Sequence, residues 1–207
     1  MTTHLYLIRH GESTWNAQGR VQGWGDARLS AKGVAQAQAV ARRLAKVPLQ
    51  RLYTSPLARA HQTAAAIGAR VRLSVHPVAD FREVGLGAWE GVPVERLRAR
   101  HPALYRRWLT TPSTTRIPQG EGIPTFQRRV LGAFRGVLEE TPTGTTVAIV
   151  THGGVIRVIL AHVLGIPFDP LMRGLSLGNA SITRLAHTRY RLAITMLNDT
   201  SHLNGHA

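Results

Sequence analysis

Apolar residues along this chain follow two rhythms. Short continuous or alternating runs predict strands at Leu5-Tyr6-Leu7-Ile8, at Leu52-Tyr53-Thr54, over residues 71–78 and around Val147-Ala148-Ile149-Val150. Between them, apolar residues recur at helical spacing. Ser30 is placed to cap a helix whose buried stripe is Val34, Ala37, Ala41 and Leu44, and Pro48 helps end it. Ser55-Pro56 opens a second helix with Leu57, Ala60, Ala64 and Ile67 on one face and a stop at Gly68. Phe126, Val130, Phe134 and Val137 mark a third, and Val155, Ile156, Ile159, Leu160 and Val163 a strongly apolar fourth that ends at Gly165. Two alternating runs, 181–185 and 191–197, predict a closing hairpin that turns near His187-Thr188. Strands alternating with helices imply an α/β fold, a three-layer α/β/α sandwich around a mostly parallel sheet.

From Asp80 to Gly122 the pattern changes. Short helical pieces at 94–100 and 103–109 alternate with stretches such as Thr110-Thr111-Pro112-Ser113. This reads as a small helical insertion over the strand ends, at about 81–122, within one domain spanning 1–207. The polar segment from Asp199 to the end is expected to be a loose tail. The 207 residues suffice for a full core, and a 43% hydrophobic content argues against disorder. No apolar stretch approaches the roughly 20 residues of a membrane span. Ile8 is already followed by Arg9-His10, unlike a signal peptide, so a cytoplasmic location is expected. With no cysteine, thiol catalysis, disulfides and Cys-ligated metals are excluded.

A formal charge of +15, nearly all from arginine, would suit nucleic acid as a partner. The basic residues are scattered, as in Arg42-Arg43, Arg70, Arg96, Arg106-Arg107 and Arg128-Arg129, and no tract forms. A solvated, arginine-biased surface is the simpler account, so nucleic acid is not the expected partner. The positive field still draws small anions inward.

Two strands end in the same way. Leu5-Tyr6-Leu7-Ile8 runs into Arg9-His10-Gly11, and the 146–151 run ends in Thr151-His152-Gly153-Gly154, about 140 residues later. Open α/β sheets bind ligands beyond the carboxyl ends of their strands, so both imidazoles are expected in one pocket there. After Arg9-His10-Gly11 come Glu12-Ser13-Thr14-Trp15-Asn16 and then Gln22-Gly23-Trp24. Further on stand Ser55-Pro56-Leu57-Ala58-Arg59-Ala60-His61-Gln62-Thr63-Ala64 and Phe81-Arg82-Glu83-Val84-Gly85-Leu86-Gly87-Ala88-Trp89-Glu90-Gly91. With the ending Asn198-Asp199-Thr200-Ser201-His202-Leu203, this ordered set resembles the histidine phosphatase superfamily. That group holds cofactor-dependent phosphoglycerate mutases and many phosphomonoesterases, and the resemblance runs from about residue 4 to 203.

The residue types fit phosphoryl transfer, which needs an in-line nucleophile and positive donors around the phosphoryl oxygens. His10 is the expected nucleophile, forming a phosphohistidine while its other ring nitrogen donates to a nearby backbone carbonyl. Arg9 and Arg59 offer planar forks for phosphate oxygens, and His152, in its protonated form, a further cation. Gly153 permits close backbone approach at a helix start that favours anions. Glu83 is the expected general acid and then base, with Glu12, Glu90 and Asp80 as competitors. As an acid it needs a pKa above the usual value of about 4.3, which the neighbouring cations oppose. Asn16, Gln22 and Gly23 resemble the family's secondary phosphate contacts. Trp24, Trp89 and Trp108 are read as core packing or pocket walls. His4, His61, His101 and His162 show no metal spacing and are read as structural.

In the mutase branch the acidic motif typically continues with Arg and then Tyr-Gly, and the second histidine motif reads His-Gly-Asn. Here Val84-Gly85-Leu86 follows Glu83, and Gly154 stands where the asparagine would be. These departures favour water as acceptor. The expected activity is metal-independent hydrolysis of a small anionic phosphorylated metabolite, with no cofactor. A phosphoglycerate mutase and a non-catalytic phosphate- or nucleic-acid-binding regulator are the alternatives, and self-association into a homodimer stays open.

Overall fold

A computed structural model describes residues 1–203. Among them, six strands form one sheet in the order β3-β2-β4-β1-β5-β6. They are β1 (Thr3–Arg9), β2 (Arg51–Thr54), β3 (Val75–Pro77), β4 (Thr146–Thr151), β5 (Ile182–His187) and β6 (Leu192–Asp199). The pairs β1/β4, β2/β4 and β2/β3 are parallel, and β1/β5 and β5/β6 antiparallel. Strand side chains alternate between faces, and that alternation builds two cores. Leu5, Leu7, Val147 and Ile149 face one; Ile8, Leu52, Ala148 and Val150 face the other.

Helices α2 (Ala31–Leu44) and α3 (Ala58–Val71) cover the second face through Val40, Leu44, Ala60, Ala64 and Ile67. Helices α6 (Ile123–Glu140) and α7 (Gly153–Leu164) cover the first through Phe126, Phe134, Val155 and Ile159. A short α1 (Thr14–Ala17) follows β1, capped at Ser13, whose side chain accepts from the Asn16 N–H. Between β3 and α6 lie α4 (Val94–Arg100) and α5 (Pro102–Thr110) with single 3-10 turns. A further helix, α8 (Phe168–Gly174), packs between α7 and the insertion and was not anticipated. No helix among the described residues is long and apolar enough to cross a membrane.

Four local expectations change. Val34 is 50% exposed; the buried line of α2 starts instead at Gly33, where a Cβ would lie 1.9 Å from the Glu12 carbonyl oxygen. Gly68 does not end α3, which runs on to Val71 before Arg72 turns left-handed at φ 59°. Gly68 is there because a Cβ would come within 2.8 Å of the Leu73 carbonyl oxygen. The strand expected over 71–78 shrinks to Val75–Pro77 as a result. The expected loose tail is docked at least to Leu203: a His202 ring nitrogen donates to the Ala180 carbonyl, and Leu203 packs on the second core. Residues 204–207 of that segment lie outside the described residues.

Candidate active site

β1 and β4 are hydrogen-bonded neighbours in register Arg9 to Thr151, so His10 and His152 leave the sheet side by side. The His10 N–H donates to the Thr151 carbonyl at 2.9 Å, fixing the exit of both chains. The two ring centroids stand 5.2 Å apart at 60°. Both rings are buried, at 3% and 0% exposure.

The first imidazole is oriented by its own backbone. His10 Nδ1 lies 2.7 Å from the Gly11 carbonyl oxygen, which can only accept, so Nδ1 carries the proton and Nε2 a lone pair. Burial, then Arg59 and Arg9, pushes His10 well below the ordinary imidazole range. His152 is pushed well down too, by burial and then Arg59, His10 and Arg9. Burial and the two guanidinium groups thus weigh against the expected imidazolium in the free site, and the burial could not be read from local sequence. His152 Nε2 is 2.7 Å from Ser55 Oγ, at the end of β2, while its buried Nδ1 has no partner.

Two arginines complete the surroundings. Arg59, 1% exposed, donates from Nη1 to the Gly25 carbonyl and from Nη2 to the Gly23 carbonyl, both at 2.8 Å. Burial pushes it down to about 10, so it stays charged at neutral pH. Arg9 donates to the Leu177 carbonyl. The Nε atoms of Arg9 and Arg59 are buried without a partner. Three unsatisfied ring or guanidinium nitrogens around His10 are costly in a closed protein interior and suit an anion that would accept from them.

Glu83 faces this group. Its Oε1 accepts the Val84 N–H at 2.9 Å and its Oε2 the Gly154 N–H at 3.0 Å, at the start of α7. Its charge is felt at Arg9, Arg59 and Arg157. The competitors are engaged elsewhere: Glu12 with Ser30 and Lys32, and Glu90 with the Trp24 and Leu86 N–H groups. Asp80 contributes its backbone carbonyl to Arg129. The glycine that matters most sits one place beyond the expected Gly153. At Gly154 a Cβ would lie 2.2 Å from Glu83 Oε1, whereas at Gly153 it would meet Arg157 Nη1 at 3.0 Å and Arg9 Nε at 3.8 Å.

The secondary residues form a linked rim. Asn16 Oδ1 accepts from the Ser13 N–H, and Gln22 Oε1 accepts from Ser13 Oγ at 2.7 Å. Gly23, at φ +50°, carries one of the carbonyls that hold Arg59. Trp89 and Trp108 are buried, while Trp24 is 40% exposed and donates to the Glu83 carbonyl at 2.7 Å. His61, His101 and His162 are exposed and lie away from the site.

Sequence reasoning missed Ser55, Arg129 and Arg157. Arg129 pairs with Glu121 at 2.7 Å and also donates to the carbonyls of Asp80, Arg82 and Glu83, clamping the loop that presents Glu83. Its one local signal is a cation beside the apolar stripe of α6. Next to Glu83 a cavity of about 240 Å³ opens, lined by Val21, Leu86, Trp108, Phe168, Met172 and Arg157 among others. A larger hollow of about 780 Å³ lies by Met1 and the β5–β6 turn, away from these groups. Among the described residues no three His, Asp, Glu or Cys side chains cluster as metal ligands.

A parallel sheet with two imidazoles and two arginines at its carboxyl edge defines a phosphoryl-handling α/β protein. The sequence profile of the histidine phosphatase superfamily (branch 1) matches residues 5–200, and the chain belongs to that family. It is similar to phosphoserine phosphatase 1 of Hydrogenobacter thermophilus, 33% identical over 96% of this chain and 93% of that protein. It is also similar to the probable phosphoglycerate mutase GpmB of Yersinia enterocolitica, 32% identical over 97% and 94%. The solved structure of Bacillus stearothermophilus YhfR superposes with a TM-score of 0.92 at 32% identity, over 98% of this chain and 100% of that one. The fold expectation holds, and the family together with its phosphatase-named relatives supports a phosphomonoesterase of phosphoglycerate mutase-like type.

Proposed function

We propose that the protein hydrolyses small anionic phosphomonoesters in the cytoplasm through a phosphohistidine on His10, without a metal ion. The carrying observation is the pair of rings 5.2 Å apart, surrounded by the unpartnered nitrogens Arg9 Nε, Arg59 Nε and His152 Nδ1. In the first step His10 Nε2 attacks phosphorus, a P–N bond forms and the ester P–O bond breaks. The departing oxygen takes its proton from Glu83. In the second step the Glu83 carboxylate takes a proton from water, whose oxygen attacks phosphorus. The P–N bond then breaks, releasing inorganic phosphate and neutral His10.

Arg9, Arg59 and His152 spread the charge of the transferring group in a site from which water is excluded. Ser55 Oγ already accepts the Leu57 N–H, and giving its own proton to His152 Nε2 leaves Nδ1–H as a donor toward phosphate. Acid-labile, base-stable phosphate on His10 in quenched turnover, with rates unchanged by chelator, is the expected result. Full turnover by His10→Ala would refute the mechanism.

The 32% identity to a probable phosphoglycerate mutase supports a second reading, transfer of the phosphoryl group back to a hydroxy acid. Gly154 weighs against it. An asparagine there would push its Cβ against Glu83 Oε1, so this Glu83 position belongs with glycine. Conversion of 3-phosphoglycerate to 2-phosphoglycerate, stimulated by 2,3-bisphosphoglycerate, would favour the mutase.

A further inference from the structure

We propose that Arg157 selects the substrate by pairing with a carboxylate on an otherwise apolar leaving group, an assignment that rests on the phosphomonoesterase reading. Arg157 lies on α7 one helical turn beyond Gly153, about 6 Å along the axis. Its Nε and Nη2 both donate to the Leu175 carbonyl, at 3.1 and 2.7 Å, which fixes the plane of the guanidinium. Among the described residues Nη1 has no hydrogen-bond partner, and it lies 3.0 Å from where a Gly153 Cβ would stand. Arg9 senses its charge, Arg157 in turn senses that of Glu83, and it lines the cavity beside Glu83, so it borders the phosphoryl site.

The cavity it lines has a distinct chemistry. Val21, Val84, Leu86, Trp108, Ile123, Phe168 and Met172 make it apolar, and Arg157 and Glu83 are the charged side chains among the described residues lining it. Among the described residues lining it, Gln22 supplies the one side-chain amide and Trp108 an indole. The hydroxyls of a sugar would lose water there without replacement, which disfavours polyol phosphates. With Glu83 committed to proton transfer, the free Nη1 is left as the polar contact for a second anionic group on the substrate. A volume of about 240 Å³ is below the roughly 300 Å³ at which drug-sized sites begin, so the leaving group is small. The spacing places its acid a few bonds from the ester oxygen. This reader sits on α7, not in the segment after Glu83 where the mutase-like motif would continue with arginine.

The test compares 4-phosphooxybutanoate with n-butyl phosphate, whose alcohols are matched in length, and with glucose 6-phosphate. The native enzyme should favour the acid over butyl phosphate in kcat/KM by about ten- to a hundredfold, the size of one hydrogen bond to a charged group, with glucose 6-phosphate poorest. Arg157→Met should bring the acid-to-butyl ratio to near one, and Arg157→Lys should recover part of it. Equal native rates for acid and butyl ester, or a ratio that survives in Arg157→Met, would overturn the assignment. Should Arg157→Met not fold, the native ratio and binding to His10→Ala protein still decide. There the acid should raise the melting temperature more than butyl phosphate does, and equal shifts would overturn the proposal. A larger shift with the acid, in a protein whose native form hydrolyses neither ester, would leave Arg157 assigned and the hydrolase reading refuted.

Discussion

Acidification should destabilise this protein through its two paired imidazoles. Burial, followed by the charges of Arg59 and Arg9, keeps His10 neutral well below its usual range, and burial with Arg59, His10 and Arg9 does the same for His152. In the unfolded chain each ring titrates near 6.5. As pH falls below that value, the unfolded state takes up two protons that the folded state refuses. The stabilisation is thus fully present above pH 6.5 and is lost on the way down. With both rings neutral in the folded state, moving from pH 7 to 5.5 costs about 1 kcal/mol per ring and at most about 2 to 3 kcal/mol for the pair. That is a large share of the 5–15 kcal/mol, roughly, that holds a typical domain together. Urea unfolding in phosphate-free buffer at the two pH values measures it, with the His10→Gln/His152→Gln protein as reference. His202, also lowered by burial, and the carboxylates remain in both proteins, so subtraction isolates the pair. The native protein should lose about 2 kcal/mol more than the reference. Equal losses would show that the rings protonate freely when folded, and the neutral, desolvated pair would be wrong.

Three substitutions probe the supports around that pair. Ser55→Ala removes the 2.7 Å partner of His152 Nε2 and should lower kcat/KM about tenfold, one hydrogen bond's worth, with a shifted pH–rate profile that Ser55→Thr restores. Gly154→Ala puts a methyl group 2.2 Å from Glu83 Oε1. The carboxylate must swing away, so kcat should fall by about 10²-fold while urea stability changes by less than about 1 kcal/mol. Arg129→Met releases Glu121 and three carbonyls of the Glu83 loop, and should cost about 3 kcal/mol in urea unfolding as well as reducing kcat.

The sheet and the juxtaposition of His10 with His152 were legible because both depend on local signals. An apolar run followed by His-Gly places a ring at a strand end wherever the strand goes. Val34 misled because helical periodicity alone cannot distinguish a buried stripe from one shifted by a position, and Gly68 because a glycine after the last apolar position reads as a helix stop. Close approaches to the Glu12 and Leu73 carbonyls chose glycine at 33 and 68. Ser55, Arg129 and Arg157 were hidden because their partners, His152, Glu83 and Leu175, lie elsewhere in the chain. The weight of burial at His152 was hidden for a related reason. Charge suggests a cation among phosphate ligands, but desolvation, which dominates here, is a property of the folded interior.

The neighbouring placement of β1 and β4 has a consequence for how such proteins diversify. Interstrand hydrogen bonds set the gap between the two imidazoles, and no segment of the α4–α5 insertion takes part in that ladder. Mutations in α4 and α5, beyond the Glu83 loop, can therefore retune which alcohol is accepted while the two rings keep their spacing. The nucleophile's geometry and that part of the substrate wall are thus carried by different segments, and a new preference can arise with the histidine pair undisturbed.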